Sequence, residues 1–351
     1  MKNRRGIKIG MTWLCLMLSH PSLAVGRVKL QKVAESEYLW TGIAVSSDKR
    51  VFVNYPRWGA ERPYSVAEVT GRRSVIAYPD RRLNGWREGD ADVMEKFVCV
   101  QSVFCDGNDD LWILDTGNPY LRGVIPGAAK LVRVSTRTNQ VSQRYPMPSE
   151  AIVPSSYLND VRIDHHRRCA YITDSGSGAI VILDLVSGKA RRILADHSST
   201  RAEEIGFCVE GIVLAAKIHC DGIALDRPGD YLYYKPLTAR TLYRIKTDLL
   251  QDTQLSPERI SAGVERVADV GICDGMEFAG DGLLYITSLE DNSIKRLNRS
   301  NQLETVCRGQ EIKWPDSLAI GPKGALYFTI SQLHLGEKRT EPFAIFRLKI
   351  F

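Results

Sequence analysis

Much of the standard catalytic vocabulary is missing from this sequence. It has no Cys-x-x-Cys pair, no Gly-x-Ser-x-Gly elbow, no His-Glu-x-x-His motif, no P-loop and no dinucleotide fingerprint. Those absences remove the zinc-ribbon, thioredoxin-like, serine-hydrolase, zincin and nucleotide-binding readings, so no nucleotide or organic cofactor is expected. Sustained helical periodicity is also lacking, which argues against an all-α fold. The apolar run IGMTWLCLML (9–18) is too short to cross a bilayer as a helix, so no membrane anchor is expected. Apolar content of 44% and charged content of 25% are those of an ordinary globule.

What is present begins with a leader. A basic stretch (MKNRRGIK), the short apolar core and SHPSLA, with Ser22 and Ala24 in small-residue positions, predict a secretory signal peptide over 1–24. A buried N-terminal helix is the alternative. Cys15 follows Leu14 rather than a small residue, which argues against a lipoprotein site. The leader carries four basic residues and no acid, so its removal takes the formal charge from +6 to +2. A near-neutral chain with interspersed charges offers nucleic acid or a membrane surface no basic stripe. Secretion or a periplasmic location follows. Cys99, Cys105, Cys169, Cys208, Cys220, Cys273 and Cys307 remain, an odd number whose pairing sequence does not set. No feature of the sequence sets an oligomeric state.

The remaining 25–351 reads as one domain built on a repeat. Six segments share a polar entrance, an apolar strand, a Gly/Asp turn and an aromatic-centred strand; WTGIAVSSDKRVFVNYPRW (40–58) is the first. The aromatic centres are Phe52, Trp112, Tyr171, Tyr233, Tyr285 and Tyr327, separated by 60, 59, 62, 52 and 42 residues. Such spacing fits one four-stranded blade per unit, and six blades packed radially make an all-β six-bladed propeller. The alternating segments 27–33 and 344–351 are expected to close the ring. One helix is predicted over 256–267, with Ser256 as cap and Pro257 at its first position, inserted between blades four and five.

Eleven or twelve residues before each aromatic lies one shared entrance position: Thr41, Gln101, Asn159, Asp221, Asp274 and Asp316. In a propeller this position opens the innermost strand beside the central channel. The far end of the second strand returns to the same rim, bringing Asp115-Thr116, Asp174-Ser175 and Ser288–Glu290 alongside. Crowded carboxylates raise one another's pKa unless a cation compensates. Ca²⁺, with six to eight oxygen ligands, is one candidate for this ring of one amide and three carboxylates. Strand-starting turn chemistry is the competing explanation for Asp-Gly and Asn-Asp. The expected ligand-binding set is Gln101, Asn159, Asp174, Asp221, Asp274, Asp316 and Trp314. Asp221, Asp274 and His219 are the candidates for catalysis. An amine would pair with Asp274 or Asp316 and stack on Trp314, Tyr120 or Phe278, aromatics that core packing explains equally. Cys220 and Cys273 read as reactive thiols, a cross-blade disulfide or buried thiols. His165-His166 read as a solvated pair, His197 and His334 carry no motif, and Asn298-Arg299-Ser300 is a glycosylation acceptor.

These segments resemble the major royal jelly protein / yellow family through WTGIAVSSDKRVFVNYPRW, VQSVFCDGNDDLWILDTG, LNDVRID, YITDSGSGAIVILDL, CDGIALDRPGDYLYYKPL, CDGMEF and WPDSLAI, in the family's order. The resemblance implies a secreted six-bladed propeller, here of bacterial type. Insect relatives are associated with dopachrome conversion, with nutrition, or with binding biogenic amines, so membership does not fix an activity. The fold is more remotely similar to the gluconolactonase, regucalcin and paraoxonase propellers, which hold calcium with a first-blade glutamate and later asparagines and aspartates. Asn159, Asp221 and Asp274 correspond in register, and Gln101 falls at the second-blade amide position. Thr41 stands where that glutamate would be, with Glu37 four residues earlier. The leading expectation is a small cationic or oxygen-rich ligand at the central rim, with or without a divalent ion. A calcium-dependent lactonase-like hydrolase or a dopachrome tautomerase-like enzyme is the alternative, and a non-catalytic scaffold is the third.

Overall fold

A computed structural model describes residues 29–59 and 62–350; the leader expected over 1–24 lies outside the described residues. The architecture is a six-bladed β-propeller of four-stranded antiparallel sheets. β1 (Gln31–Ser36) comes first in the chain but belongs to the last blade. Blade one is β2 (Ile43–Val45), β3 (Val51–Asn54), β4 (Val66–Gly71) and β5 (Ser74–Ala77). Blade two is β6 (Val100–Cys105), β7 (Asp110–Asp115), β8 (Lys130–Ser135) and β9 (Gln140–Pro146). In blade three β10 (Leu158–Asp164), β11 (Cys169–Asp174), β12 (Ala179–Asp184) and β13 (Ala190–Ile193) follow. A separate hairpin, β14 (Phe207–Val209) and β15 (Ile212–Leu214), joins no blade. Blade four is β16 (Cys220–Leu225), β17 (Tyr231–Pro236), β18 (Thr241–Lys246) and β19 (Glu265–Asp269). Blade five is β20 (Met276–Phe278), β21 (Leu284–Ser288), β22 (Ser293–Leu297) and β23 (Leu303–Arg308). Blade six is β24 (Pro315–Gly321), β25 (Ala325–Ile330) and β26 (Phe343–Lys349), completed by β1.

The closure is the expected one. β1 pairs antiparallel with β26, so the first and last strands of the described residues share one sheet and close the ring. The predicted helix is shorter and sits elsewhere. Pro257–Ala262 is helical, with the Ser256 side chain accepting from Arg259 N, and Gly263 ends it. Beyond that glycine the chain turns into β19, so the segment lies inside blade four, between its third and fourth strands. β-Branched Val264 and Val267 favour the strand that overrides the helical continuation.

The repeat register is uniform. Each second-strand aromatic sits opposite the residue three past the entrance position: Phe52 on Ala44, Trp112 on Phe104, Tyr171 on Arg162, Tyr233 on Ala224, Tyr285 on Glu277 and Tyr327 on Ala319. The core therefore lies between blades. Trp112 and Leu114 of blade two, for instance, pack with Ile172 and Val181 of blade three. Because each blade buries its faces against its neighbours, the hydrophobic driving force itself sets the radial arrangement.

Candidate functional site

Six innermost strands surround the channel, and their entrances carry the functional candidates. In four blades the entrance residue falls within a break in strand register: at Gln101, Asn159, Asp221 and Asp316. A β-bulge re-aims the side chain it carries. Here it gives one end of each inner strand a polar group for the rim while the rest of the strand stays in the ladder.

Stitches between blades fix the spacing of these entrances. Thr173 Oγ1 accepts from Asp160 N (3.1 Å) and donates to the Asp221 carbonyl of the next blade (2.6 Å). Thr329 does the same across the ring closure, accepting from Ser317 N and donating to the Thr41 carbonyl. In blade one Asn54 takes the role: its Oδ1 accepts from Gly42 N and its Nδ2 donates to the Gln101 carbonyl (3.0 Å). A Cβ on Gly42 would meet Asn54 Oδ1 at 2.2 Å, so the close approach requires glycine.

The rim opens into a cavity of about 440 Å³, within the roughly 300–1,000 Å³ of small-molecule sites. Gln101, Asn159, Asp221, Asp274, Asp316 and Trp314 all line it. Asp221 accepts from Asn159 Nδ2 (2.8 Å), Asp274 from the Trp314 indole N–H (2.9 Å), and Asp316 from the Ser317 hydroxyl (3.3 Å). Burial is the largest influence on all three carboxyls and pushes each pKa upward. For Asp221 the neighbouring charges of Asp316 and Asp160 raise it further, against the pull of Lys235. Asp274 is raised by burial, then by Asp316 and Asp221, with Trp314 opposing. Asp316 reaches about 7, burial outweighing its Ser331 and Ser317 bonds. Leu121, Leu214, Ile218, Leu237 and Leu333 supply an apolar wall. The site thus has a polar, acid-rich floor and a greasy side.

Other expected residues go elsewhere. Asp174 does not line the cavity. It is fully buried, bonded to Arg192 (2.7 Å), the Ser177 hydroxyl (2.7 Å) and Tyr157 N (2.9 Å), and it pins the chain leading into Asn159. Burial acts to raise its pKa, but Ser156, Arg192 and Ser177 outweigh it and leave the carboxyl lowered. Asp115 is the blade-two counterpart, accepting from Val98 N and Cys99 N. His219 is half-buried, is not part of the cavity lining, and accepts from Ala202 N through Nδ1 (2.9 Å), a contact that holds the neighbouring loop. Of the proposed amine-stacking aromatics only Trp314 reaches the cavity. Phe278 packs edge-on against Tyr233, and Arg122 covers Tyr120. Trp58 and Tyr157, which no motif marks, line the wall and form a chain from the Trp58 indole to the Tyr157 hydroxyl to Gln101 Oε1.

A smaller chamber of about 150 Å³ lies further along the inner strands. There Arg162 bonds Asp160 (2.9 Å) and lies 3.1 Å from Glu277, and its charge is held beneath the Phe104 ring.

Among the described residues no three His, Cys, Asp or Glu side chains form a group able to hold a metal. Asn159 turns its NH₂ toward Asp221 and Ser175, so the amide donates to the carboxylate with which it would share an ion. Thr41 is buried against Asn54, and Glu37 is exposed beside a different cavity. Such a donor set does not fit a preformed calcium cage of the kind assigned to Asn159, Asp221 and Asp274.

All seven described cysteines are unpaired. Cys220 and Cys273 are buried, and burial raises both thiols, so neither forms a disulfide or a ready thiolate. Brief iodoacetamide treatment of the folded protein should alkylate exposed Cys208 and leave these two unmodified until denaturant is added. Peptide mapping by mass spectrometry reads the outcome, and native labelling of Cys220 would contradict the structure.

The major royal jelly protein family model matches residues 98–346. Major royal jelly protein 5 of Apis mellifera is 21% identical over 268 residues, covering 72% of this chain and 43% of that protein. Major royal jelly protein 7 of the same bee is 23% identical over 192 residues, covering 52% and 42% respectively. The chain spans less than half the length of these curated relatives. Among solved structures, a gluconolactonase from Xanthomonas campestris superposes with a TM-score of 0.56 at 13% identity, over 94% of this chain and 93% of its own. The calcium-binding regucalcin of Agrobacterium tumefaciens gives 0.53 at 14%, over 92% and 94%. Those likenesses show a shared fold alone. With the family model matching well over half of its length, the chain belongs to the major royal jelly protein family.

Proposed function

We propose that this is an exported propeller whose rim cavity binds a small organic cation carrying an apolar body. One observation carries the reading: Asp221, Asp274 and Asp316 share the floor of a cavity whose side is apolar. Three crowded carboxyls with raised pKa values favour a ligand that brings its own positive charge. A protonated amine does so, and its ring or chain would cover the leucine wall and Trp314. Family membership supports a binding role without naming a substrate. Export rests on the N-terminal leader, and sequencing the mature N-terminus tests it.

Titration calorimetry with dopamine and with its uncharged analogue 4-ethylcatechol tests the amine reading. Dopamine should bind at least tenfold more tightly, and Asp274→Asn should remove most of that preference, as expected when a buried charge pair loses one partner. Equal binding of the two probes, or none, defeats the reading. Calcium titrated alone checks the alternative: a stoichiometric heat that Asp221→Asn abolishes would favour an ion-centred site.

A further inference from the structure

One element borders the cavity without belonging to any blade. β14 and β15 pair only with each other, Phe207 on Leu214 and Val209 on Ile212. A solitary two-stranded hairpin is marginal in water, so its attachments decide whether it stays in place. Among the described residues no backbone hydrogen bond ties 207–216 to a blade. Phe207 and Val209 are held only by packing in a cluster with Leu237, Ile272, Leu289 and Trp314. Its tip is held by one side chain. Glu210 receives Asn292 Nδ2 at 2.8 Å and lies 2.9 Å from His334 Nε2.

The turn itself singles out Glu210. Glu210 and Gly211 have φ of 49° and 81°, the two positive angles of a tight hairpin turn. Glycine suits both positions, whereas glutamate enters the left-handed region reluctantly. Strain of this sort at a residue with specific partners points to a role for the side chain. His334, buried, stacks on Trp314 at 6.0 Å and 10°, and Trp314 donates to Asp274. The tip contact and a cavity carboxylate thus share one indole. The returning limb supplies Leu214, Ala215, Ala216 and Ile218 to the cavity wall.

We propose that the β14–β15 hairpin is a flap gating the rim cavity, latched at its tip by Glu210 onto His334 and Asn292. Lifting it removes one wall and uncovers Trp314. The ligand-gating role rests on the cavity being a binding site, while the motion can be measured without ligand. Hydrogen–deuterium exchange is the test, on wild type, Glu210→Gly and His334→Phe. The glycine variant relaxes the turn while deleting the latch, and the phenylalanine keeps the stack but loses the bond. Both should speed exchange of the 207–214 amides at least tenfold, leave the blade amides unchanged, and raise oxidative footprinting of Trp314 several-fold. Unchanged exchange at 207–214, a rise spread through the blades, or unchanged Trp314 oxidation each overturns the flap. Stopped-flow dopamine binding separates the two ideas. Glu210→Gly should raise association and dissociation rates together, and unchanged rates would overturn gating. A wild type that does not bind dopamine defeats the amine reading alone and leaves the flap to be judged by exchange and oxidation.

Discussion

Lys130→Met should lower the free energy of unfolding by about 3–5 kcal/mol, the usual consequence of stranding one member of a buried ion pair. Lys130 and Asp115 are both sealed from solvent, at 1% and 0% side-chain exposure, and 2.7 Å apart. Every polar valence around them is filled. The ammonium also donates to the Val93 carbonyl (2.9 Å) and the Ala128 carbonyl (3.0 Å), and the carboxylate accepts from the amides of Val98, Cys99 and Gly117. Methionine fills the stem's volume but leaves the carboxylate without its countercharge. Lys130→Met with Asp115→Asn should recover part of the loss, because asparagine carries no charge and its one oxygen keeps the Cys99 and Gly117 amides paired, leaving the Val98 amide without its acceptor. Lys217→Met is the control, since that lysine meets Glu204 with both side chains largely exposed; its effect should stay within about 1 kcal/mol. Urea unfolding reads all of these as midpoint shifts at constant slope. A Lys130→Met loss no larger than the Lys217→Met one would show that the buried pair is not the organising contact of blade two.

That pair also marks where sequence reasoning stops. Spacing alone located the aromatics and entrances, because a propeller repeats one strand register and each aromatic faces the residue three past its entrance. It could not tell which way a second-strand end turns. Asp115 and Asp174 lie on the expected strand ends, yet both carboxylates fold back to cap the amides before Gln101 and Asn159. They position the rim without belonging to it. The stitching residues Asn54, Thr173 and Thr329 were hidden for another reason: threonine on a strand is ordinary, and only the ring geometry brings it to the next blade's carbonyl. Trp58, Tyr157, Leu121 and Leu333 come from segments outside the inner strands and carry no periodic signal. Val209-Glu210-Gly211-Ile212 did hold a faint one, a glycine between β-branched residues, but Glu-Gly is a weak hairpin signature beside Asn-Gly.

Asp316→Asn should stabilise the ligand-free protein at pH 8 while weakening its hold on an organic cation. An unfolded aspartate titrates near 3.9, and burial lifts Asp316 to about 7 in the fold. The folded state therefore binds this proton more tightly than the unfolded chain. Stability linked to it is fully present below about pH 4 and is lost as pH rises through about 7. The loss is about 4 kcal/mol, spread over carboxyls that share their protons. Asparagine removes the titration, so the difference between variant and wild type isolates it from every other group. That difference should change little below about pH 4, grow steadily between pH 4 and pH 7 and level off by about pH 8, read from urea midpoints across the range. A flat difference would mean that the Asp316 carboxyl is not raised. With saturating dopamine the order should reverse, because the cation supplies the charge that the ionised ring lacks and stabilises only a fold that can bind it. Dopamine affinity of wild type should correspondingly rise between pH 5 and pH 8, and that slope should flatten in the variant. A rim kept acidic at the expense of the empty fold's stability is what a binding site requires and a structural turn does not.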